Sequence, residues 1–393
     1  MSVRKGDPQY IRGLNDQLVL DRIFHHGKVS RAEISRVTGL SKPTASSAVQ
    51  RLIDKNWIRE VGRGENAQGR KSTLLEFNHA AYYVCGIDLG ATRVRLALAR
   101  PDGSLLDEDN FEIPAGSPES LQHLLLERVE QLLLRHGADW GQVPYISVGT
   151  PAVVMPETGS SSLIVTGLKR FEEAISLPAL TQLFPSKVML ENDVNLATMA
   201  EQSDGIANGI NLFAYLAIGA GVGAGVVVEG RLLRGMGGAA GELGHMLLSK
   251  ETKVEDVLSV DGLLQLARDY LNSEQQSSLL RQEAELTPEL IFRAVRQGDS
   301  LAIMIHEIYC EFLARTIHNL SVIVAPELIV LGGEIGAYAD VLISGLQLLT
   351  DNGFPVKPKL AGSLLGERAV VLGAVNTAAR AAYGQIRDEL SDN

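Results

Sequence analysis

The stretch GELGHMLLSKETKVEDVLS, residues 241–259, sets a carboxylate, Glu242, three residues before an imidazole, His245, just after a glycine-rich run. A second carboxylate, Glu255, follows ten residues later. Such a trio could ligate a metal, move protons, or carry incidental charge on a surface loop. Upstream, Asn192 and Asp193 follow the apolar run Val188–Leu190 and precede a helix-forming segment, Val194–Glu201. Amides, carboxylates and imidazoles satisfy the paired hydroxyls of a sugar in fork geometry. An N-cap followed by a first-turn acid gives the same pair of residues with no ligand at all, and one pair can do both. Two glycine turns complete the set. One carries Asp88, Gly90 and Thr92, the other Gly219, Gly221 and Gly223. A turn of this kind can aim backbone N–H groups at a phosphate or a sugar hydroxyl, although an ordinary hairpin reads alike.

These groups need a scaffold, and 393 residues suffice for two or three domains with large cores. Apolar residues at 45% and charged ones at 21% are ordinary for a soluble globular chain. The two cysteines, Cys85 and Cys310, are too few and too far apart for a disulfide framework or a cysteine-built zinc site. The first residues have no apolar core of a secretory signal, so a cytoplasmic location is expected. Gly205–Val228 is free of charge and could be mistaken for a membrane span. Its glycines at alternate positions would weaken a helix, so two strands around a turn are expected and no membrane association.

Charge divides the chain. Residues 1–78 hold 14 Lys and Arg against 8 Asp and Glu, a net of +6; the rest hold 22 against 39, a net of −17. A basic head on an acidic body implies that only the head meets a polyanion. In the head, Asn15–His26 reads as a helix with Val19, Leu20, Ile23 and Phe24 on one face. Ser30 and Glu33 form a capping-box pattern ahead of a short helix with Ile34 and Val37 inward. After the turn at Thr38-Gly39-Leu40, Ser41 caps a third helix that has Pro43 in its first turn and an inward stripe of Ala45, Val49, Leu52 and Ile53. Lys42, Thr44, Ser47 and Arg51 are then left pointing outward, as a helix entering a major groove requires. Strands over Trp57–Gly62 and Ser72–Asn78 form a wing whose tip carries Arg63, Arg70 and Lys71 for phosphate contacts. Double-stranded DNA is the expected partner of this winged helix-turn-helix, a protein-binding trihelical module being the alternative.

From Tyr82 onward strands and helices alternate, with glycine turns at strand ends where ligands gather in α/β folds. The expected division is a DNA-binding domain over residues 1–80, a first α/β lobe over 81–190, and a second lobe with C-terminal helices over 191–393.

The turns DLGATR, IGAGVGAG and LGGEIG, with LENDVN and GELGH between them, resemble the ROK family of repressors, open reading frames and sugar kinases. ENDVN followed by GELGH is the most specific of these matches. The resemblance covers nearly the whole chain. With a winged helix-turn-helix in front, it is to the family's transcriptional regulators. It implies a two-lobed actin-like, hexokinase-like body with a sugar in the cleft. Asn192, Asp193, Glu242 and His245 would face that sugar, Asp193 being the base in the kinases. The family's cysteine cluster, CxCGxxGCxE, is missing after GELGH; VEDVLSVDGLL resembles the segment that follows it, so Glu255 would also face the sugar and no zinc cofactor is expected. DLGATR replaces the kinase pattern DxGGTK, and GAG replaces GTG, both at the phosphate turns. GTPAVVM also departs from the commoner GxPGxVD. The expected function is therefore a sugar-responsive transcriptional regulator, most simply a non-catalytic homodimeric repressor on a two-fold operator. A sugar kinase carrying a DNA-binding head is the alternative.

Overall fold

A computed structural model describes residues 8–64, 72–155, 158–163, 166–349 and 357–392. The head comprises α1 (Pro8–His26), β1 (Val29–Ser30), α2 (Arg31–Thr38), α3 (Lys42–Asp54), β2 (Ile58–Gly64) and β3 (Ser72–Phe77). Its N-caps are those the sequence announces, although the Glu33 carboxylate pairs with Arg22 at 3.0 Å instead of closing the capping box. Ser30 Oγ accepts from Glu33 N, and Ser41 Oγ from Thr44 N. The wing strands β2 and β3 pair antiparallel, and β1 adds a third strand beside β3. Two of the head's departures from expectation concern its apolar pattern. The first helix begins at Pro8, seven residues earlier than its apolar pattern suggests. Val37 is 52% exposed. Three residues turn a helix through about 300°, so in an eight-residue α2 only Ile34 lands squarely on the core.

The first lobe holds β4 (Val84–Leu89), β5 (Arg93–Ala99), β6 (Leu105–Glu112), α4 (Pro118–Arg135), β7 (Tyr145–Thr150), β8 (Ala152–Val154), β9 (Ser161–Leu163), α5 (Leu177–Leu183) and β10 (Lys187–Asn192). Its sheet runs in the order β10-β7-β4-β5-β6. The chain then passes through α6 (Asp193–Ser203) into β11 (Phe213–Ile218), β12 (Val222–Val228) and β13 (Arg231–Leu232). Six helices follow or intervene: α7 (Val254–Leu258), α8 (Val260–Ser273), α9 (Pro288–Arg296), α10 (Ser300–Val324), α11 (Gly333–Gly336) and α12 (Ala339–Leu349). The strands β14 (Leu328–Gly332) and β15 (Lys359–Gly362) complete a second sheet, ordered β13-β12-β11-β14-β15. The charge-free segment near Gly205–Val228 is thus the hairpin β11–β12. Among the described residues no helix is long and apolar enough to cross a membrane.

The last helix, α13 (Ala369–Asp392), corrects the expected lobe boundary. It returns from the second sheet and packs on β4, β5 and β7 of the first, with α6 alongside. Residues 191–393 are therefore not one lobe. The reason lies in burial: one face of the first sheet is covered by α4, and the other would expose Val84, Ala97 and Ala99 without Val371, Val375 and Ala378 of α13. The same apolar cluster continues through Ala382, Ile386 and Leu390 to Val19, Leu20 and Ile23 of the head. Phe24 stacks on Tyr383, whose hydroxyl donates to Asp21 at 2.7 Å, and Gln17 donates to the Arg387 carbonyl. Head and first lobe share a core through α13.

Candidate functional site

Two strand ends and one loop meet at the site. β10 delivers Glu191, Asn192 and Asp193 to the N-terminus of α6. Asn192 is the N-cap: its Oδ1 accepts from Asn195 N at 3.0 Å, and its Nδ2 donates to the Ala152 carbonyl at 3.1 Å. The capping role weighed from sequence is thus real, and it occupies both ends of the amide. Asp193 Oδ1 accepts from Val194 N at 2.8 Å. Burial pushes the Asp193 carboxyl up to about 6. Glu191 accepts from the Asn192 N–H and from Asn195 Nδ2, and its other oxygen takes Arg234 at 2.9 Å. Arg234 belongs to the loop after β13, so this ion pair ties the two lobes across the cleft.

That loop then reaches Gly241, whose φ is +89° and whose carbonyl accepts from Ala224 N of β12 at 2.7 Å. A Cβ at Gly241 would lie 1.7 Å from the Ala224 oxygen, so only glycine fits. Glu242 and His245 follow on a short turn in which His245 N donates to the Glu242 carbonyl. Glu255, in α7, places Oε2 where Val222 N donates to it at 3.1 Å. A Cβ on Gly221 would meet that oxygen at 3.0 Å, and one on Gly244 at 2.9 Å. These glycines make room for the carboxylate. Glu242 is held above its usual range by burial, relieved partly by His245 and reinforced by Asp193 and Glu255. The structure therefore brings Asp193, Glu255 and His245 each within electrostatic reach of Glu242. Ser259, four residues after Glu255, is the N-cap of α8.

The first glycine turn joins β4 to β5. Asp88 is buried, and burial, then Asp193 nearby, push its carboxyl up to about 7 against the pull of Arg95. Arg95 lies 3.4 Å from Asp88 and also pairs with Glu367. Gly90 is half-buried at this turn and Thr92 exposed. In the second turn Gly219 N donates to the Gly221 carbonyl at 2.9 Å, and Gly223 packs against Val194 of α6. The sequence reading missed Glu191, Arg95, Arg234, Glu334 and Glu367. Arg95 and Arg234 stand two and seven residues from motifs that were read, so only a fold could show what they pair with.

A zinc ion held by His245 is not supported by the donors present. His245 is exposed; Cys85 and Cys310 are buried inside different lobes. Among the described residues His245 has no hydrogen-bonding partner to fix its tautomer, which leaves its ring free to turn toward a ligand.

In the head, Lys42 and Ser47 of α3 are exposed and Thr44 is half-buried, its hydroxyl 2.8 Å from that of Ser41. Arg51 departs from the outward set. Its Nε and Nη2 grip the buried Asp16 of α1 at 2.8 and 2.5 Å. A carboxylate taken out of water needs such a partner, and the guanidinium fork supplies two parallel bonds. Arg70 and Lys71 lie outside the described residues, as does the side chain of Arg63.

The sequence pattern of the ROK family matches residues 84–380. The chain belongs to the ROK family. The MarR family pattern matches residues 18–69, over the winged helix. The chain is 26% identical to the xylose repressor of Caldicellulosiruptor bescii over 386 residues, 94% of this chain and 96% of that one. It is 23% identical to the Escherichia coli DNA-binding transcriptional dual regulator NagC, covering 87% and 86% of the two chains. Among solved structures, a ROK family transcriptional regulator described as a homologue of the E. coli MLC protein superposes with a TM-score of 0.76 at 22% identity, over 97% of this chain and 99% of that one. A ROK glucokinase from Streptomyces griseus, solved with glucose and AMPPNP, gives 0.64 at 20%, over 76% and 99%. The body thus has the actin-like, hexokinase-like fold, preceded by a winged helix.

Proposed function

We propose that this ROK protein is a sugar-responsive transcriptional repressor. The observation that carries the reading is the shared core of head and first lobe. α6 begins at the cleft residues Asn192 and Asp193 and packs along α13, and α13 holds α1 of the winged helix. A sugar that binds one arrangement of the lobes more tightly than the other would shift the head with them. Glu242, His245, Glu255 and Asp193 would take its hydroxyls; Lys42, Thr44 and Ser47 would face the operator, with the wing cations on phosphates. Two copies would read a two-fold operator. The repressor names among the relatives support the reading.

The test is a mobility shift with the protein's own upstream DNA, with and without free sugars. Sequence-specific binding that weakens with salt and is released by one sugar is expected. Lys42→Ala should lower the slope of log affinity against log salt by about 1. Binding that ignores both sequence and salt would reject the reading.

A kinase reading has one observation on its side. Asp193, raised to about 6, lies near the first glycine turn through its coupling to Asp88. A base needs a phosphoryl donor held in place, and the turns here lack the hydroxyl and lysine of the kinase pattern. No ADP release is expected over a panel of hexoses, hexosamines and pentoses; sustained turnover would favour the kinase.

A further inference from the structure

Carboxylates run through the cleft in one connected series. Glu255 acts on Glu242, Glu242 is coupled to Asp193, Asp193 to Asp88, Asp88 to Glu367, and Glu367 to Glu334. An anionic ligand could still bind if this fold kept donors free for it. Among the described residues, three sets of donors beside this series are already committed to the protein's own acceptors; the ring of His245, next to Glu242, is not. Of the guanidinium groups, Arg95 is shared by Asp88 and Glu367, and Arg234 is taken by Glu191. The N-terminus of α6 would ordinarily attract an anion, but its Val194 N–H is bound by Asp193 and its Asn195 N–H by Asn192. At the second glycine turn, Val222 N donates to Glu255 and Gly219 N to the Gly221 carbonyl.

From this arrangement we infer that the effector is an uncharged sugar, and that the cleft rejects the phosphate ester of the same sugar. The inference rests on the sugar-responsive reading and adds the charge class of the ligand. A neutral ring brings hydroxyls that donate to Asp193, Glu242 and Glu255 without adding charge. A phosphate adds about −1.5 to −2 charges at pH 7 and meets carboxylates where its own donors should be. The rejection weakens with salt, because Glu367 and Glu334 at the outer end of the series are exposed.

The experiment uses the full-length protein at pH 7.5 and measures affinity by calorimetry and by release of operator DNA. The probes are D-xylose, D-glucose and N-acetyl-D-glucosamine, each beside its phosphate ester. For whichever parent sugar binds, the ester is expected to bind at least tenfold more weakly in 50 mM salt, with a smaller gap in 500 mM. Glu367→Gln, which removes one carboxylate and half-frees Arg95, should narrow the gap threefold or more. An ester that binds as tightly as its parent overturns the inference and leaves the sugar reading standing. If no probe binds in either form, the sugar reading fails and the inference falls with it.

Discussion

The two lobes share one strand order. In the first, β4, β5 and β6 form an antiparallel meander, and β7 and β10 add parallel strands on the other side of β4. In the second, β11, β12 and β13 form the meander, and β14 and β15 add in parallel beside β11. Equivalent strand ends carry unlike chemistry. The first lobe ends its opening strand near the buried Asp88 and its last strand at Glu191-Asn192-Asp193. The second ends the same strands at Gly219 and at Gly362-Ser363. Its carboxylates Glu242 and Glu255 come instead from the segment that follows β13, with Glu334 just past β14, and its glycines give Glu255 room to reach the hairpin. Topology repeats the backbone; it does not repeat the charges. One lobe places ionisable groups on its strands, and the other lends backbone and admits them from a loop.

The difference can be broken most severely in the second lobe. Gly241→Val puts a branched side chain at φ +89°, with its Cβ 1.7 Å from the Ala224 carbonyl. Strain and overpacking together should cost roughly 3–5 kcal/mol in denaturant unfolding. Gly90→Ala in the first lobe meets the Arg93 carbonyl at 2.9 Å without a positive φ, and should cost about 1 kcal/mol. Equal costs would mean that the two turns are not built differently after all.

The next effect belongs to the first lobe and depends on pH. Asp88 rises from an ordinary 3.8 to about 7 in the folded protein. A raised carboxylate favours folding fully below its unfolded pKa, and that contribution is lost as pH climbs through the folded value. Wild type should therefore lose stability relative to Asp88→Asn between pH 4 and pH 8. Three units correspond to about 4 kcal/mol at most, the pull of Arg95 being already contained in the folded value. Paired urea titrations at pH 4.5 and pH 8 measure the difference. A gap that does not change with pH would show that Asp88 ionises freely, and the contrast with the uncharged second-lobe turn would lose its energetic content.

Much of this was legible in the sequence, for identifiable reasons. Caps at Ser30 and Ser41 need only a hydroxyl at the right offset from a helix start, so local spacing revealed them. Strands β7, β10, β11 and β14 are short apolar runs bounded by glycine or a polar cluster, and the winged helix showed in its charge. What stayed hidden depends on contacts distant along the chain. Nothing local marks Arg51 as the partner of Asp16, 35 residues away. Nothing local says that α13 crosses back to the first lobe, because its apolar face would suit either sheet. The carboxylate series was half visible: Glu242 and Glu255 stand in a readable motif, whereas Glu367 is tied to it by Arg95, 272 residues away.

The smallest effect tests whether the lobes are held together by charge. Arg234 and Glu191 form the ion pair across the cleft, and Arg234 is 39% exposed at its side chain. Solvent screening limits such a pair to about 0.5–1 kcal/mol. Glu191 is held by its bonds to the Asn192 N–H and to Asn195 whether or not Arg234 is present, so Arg234→Ala should leave α6 in place. A double-mutant cycle of Arg234→Ala with Glu191→Gln isolates the pair from these other bonds. A coupling of about 0.5–1 kcal/mol in stability, with effector affinity reduced less than tenfold, is expected if the pair only steadies a closed cleft. A coupling of zero would mean that backbone contacts alone join the lobes. A loss of effector binding a hundredfold or greater would instead place Arg234 on the ligand, adding a cation to the carboxylates that the segment after β13 already brings to the cleft.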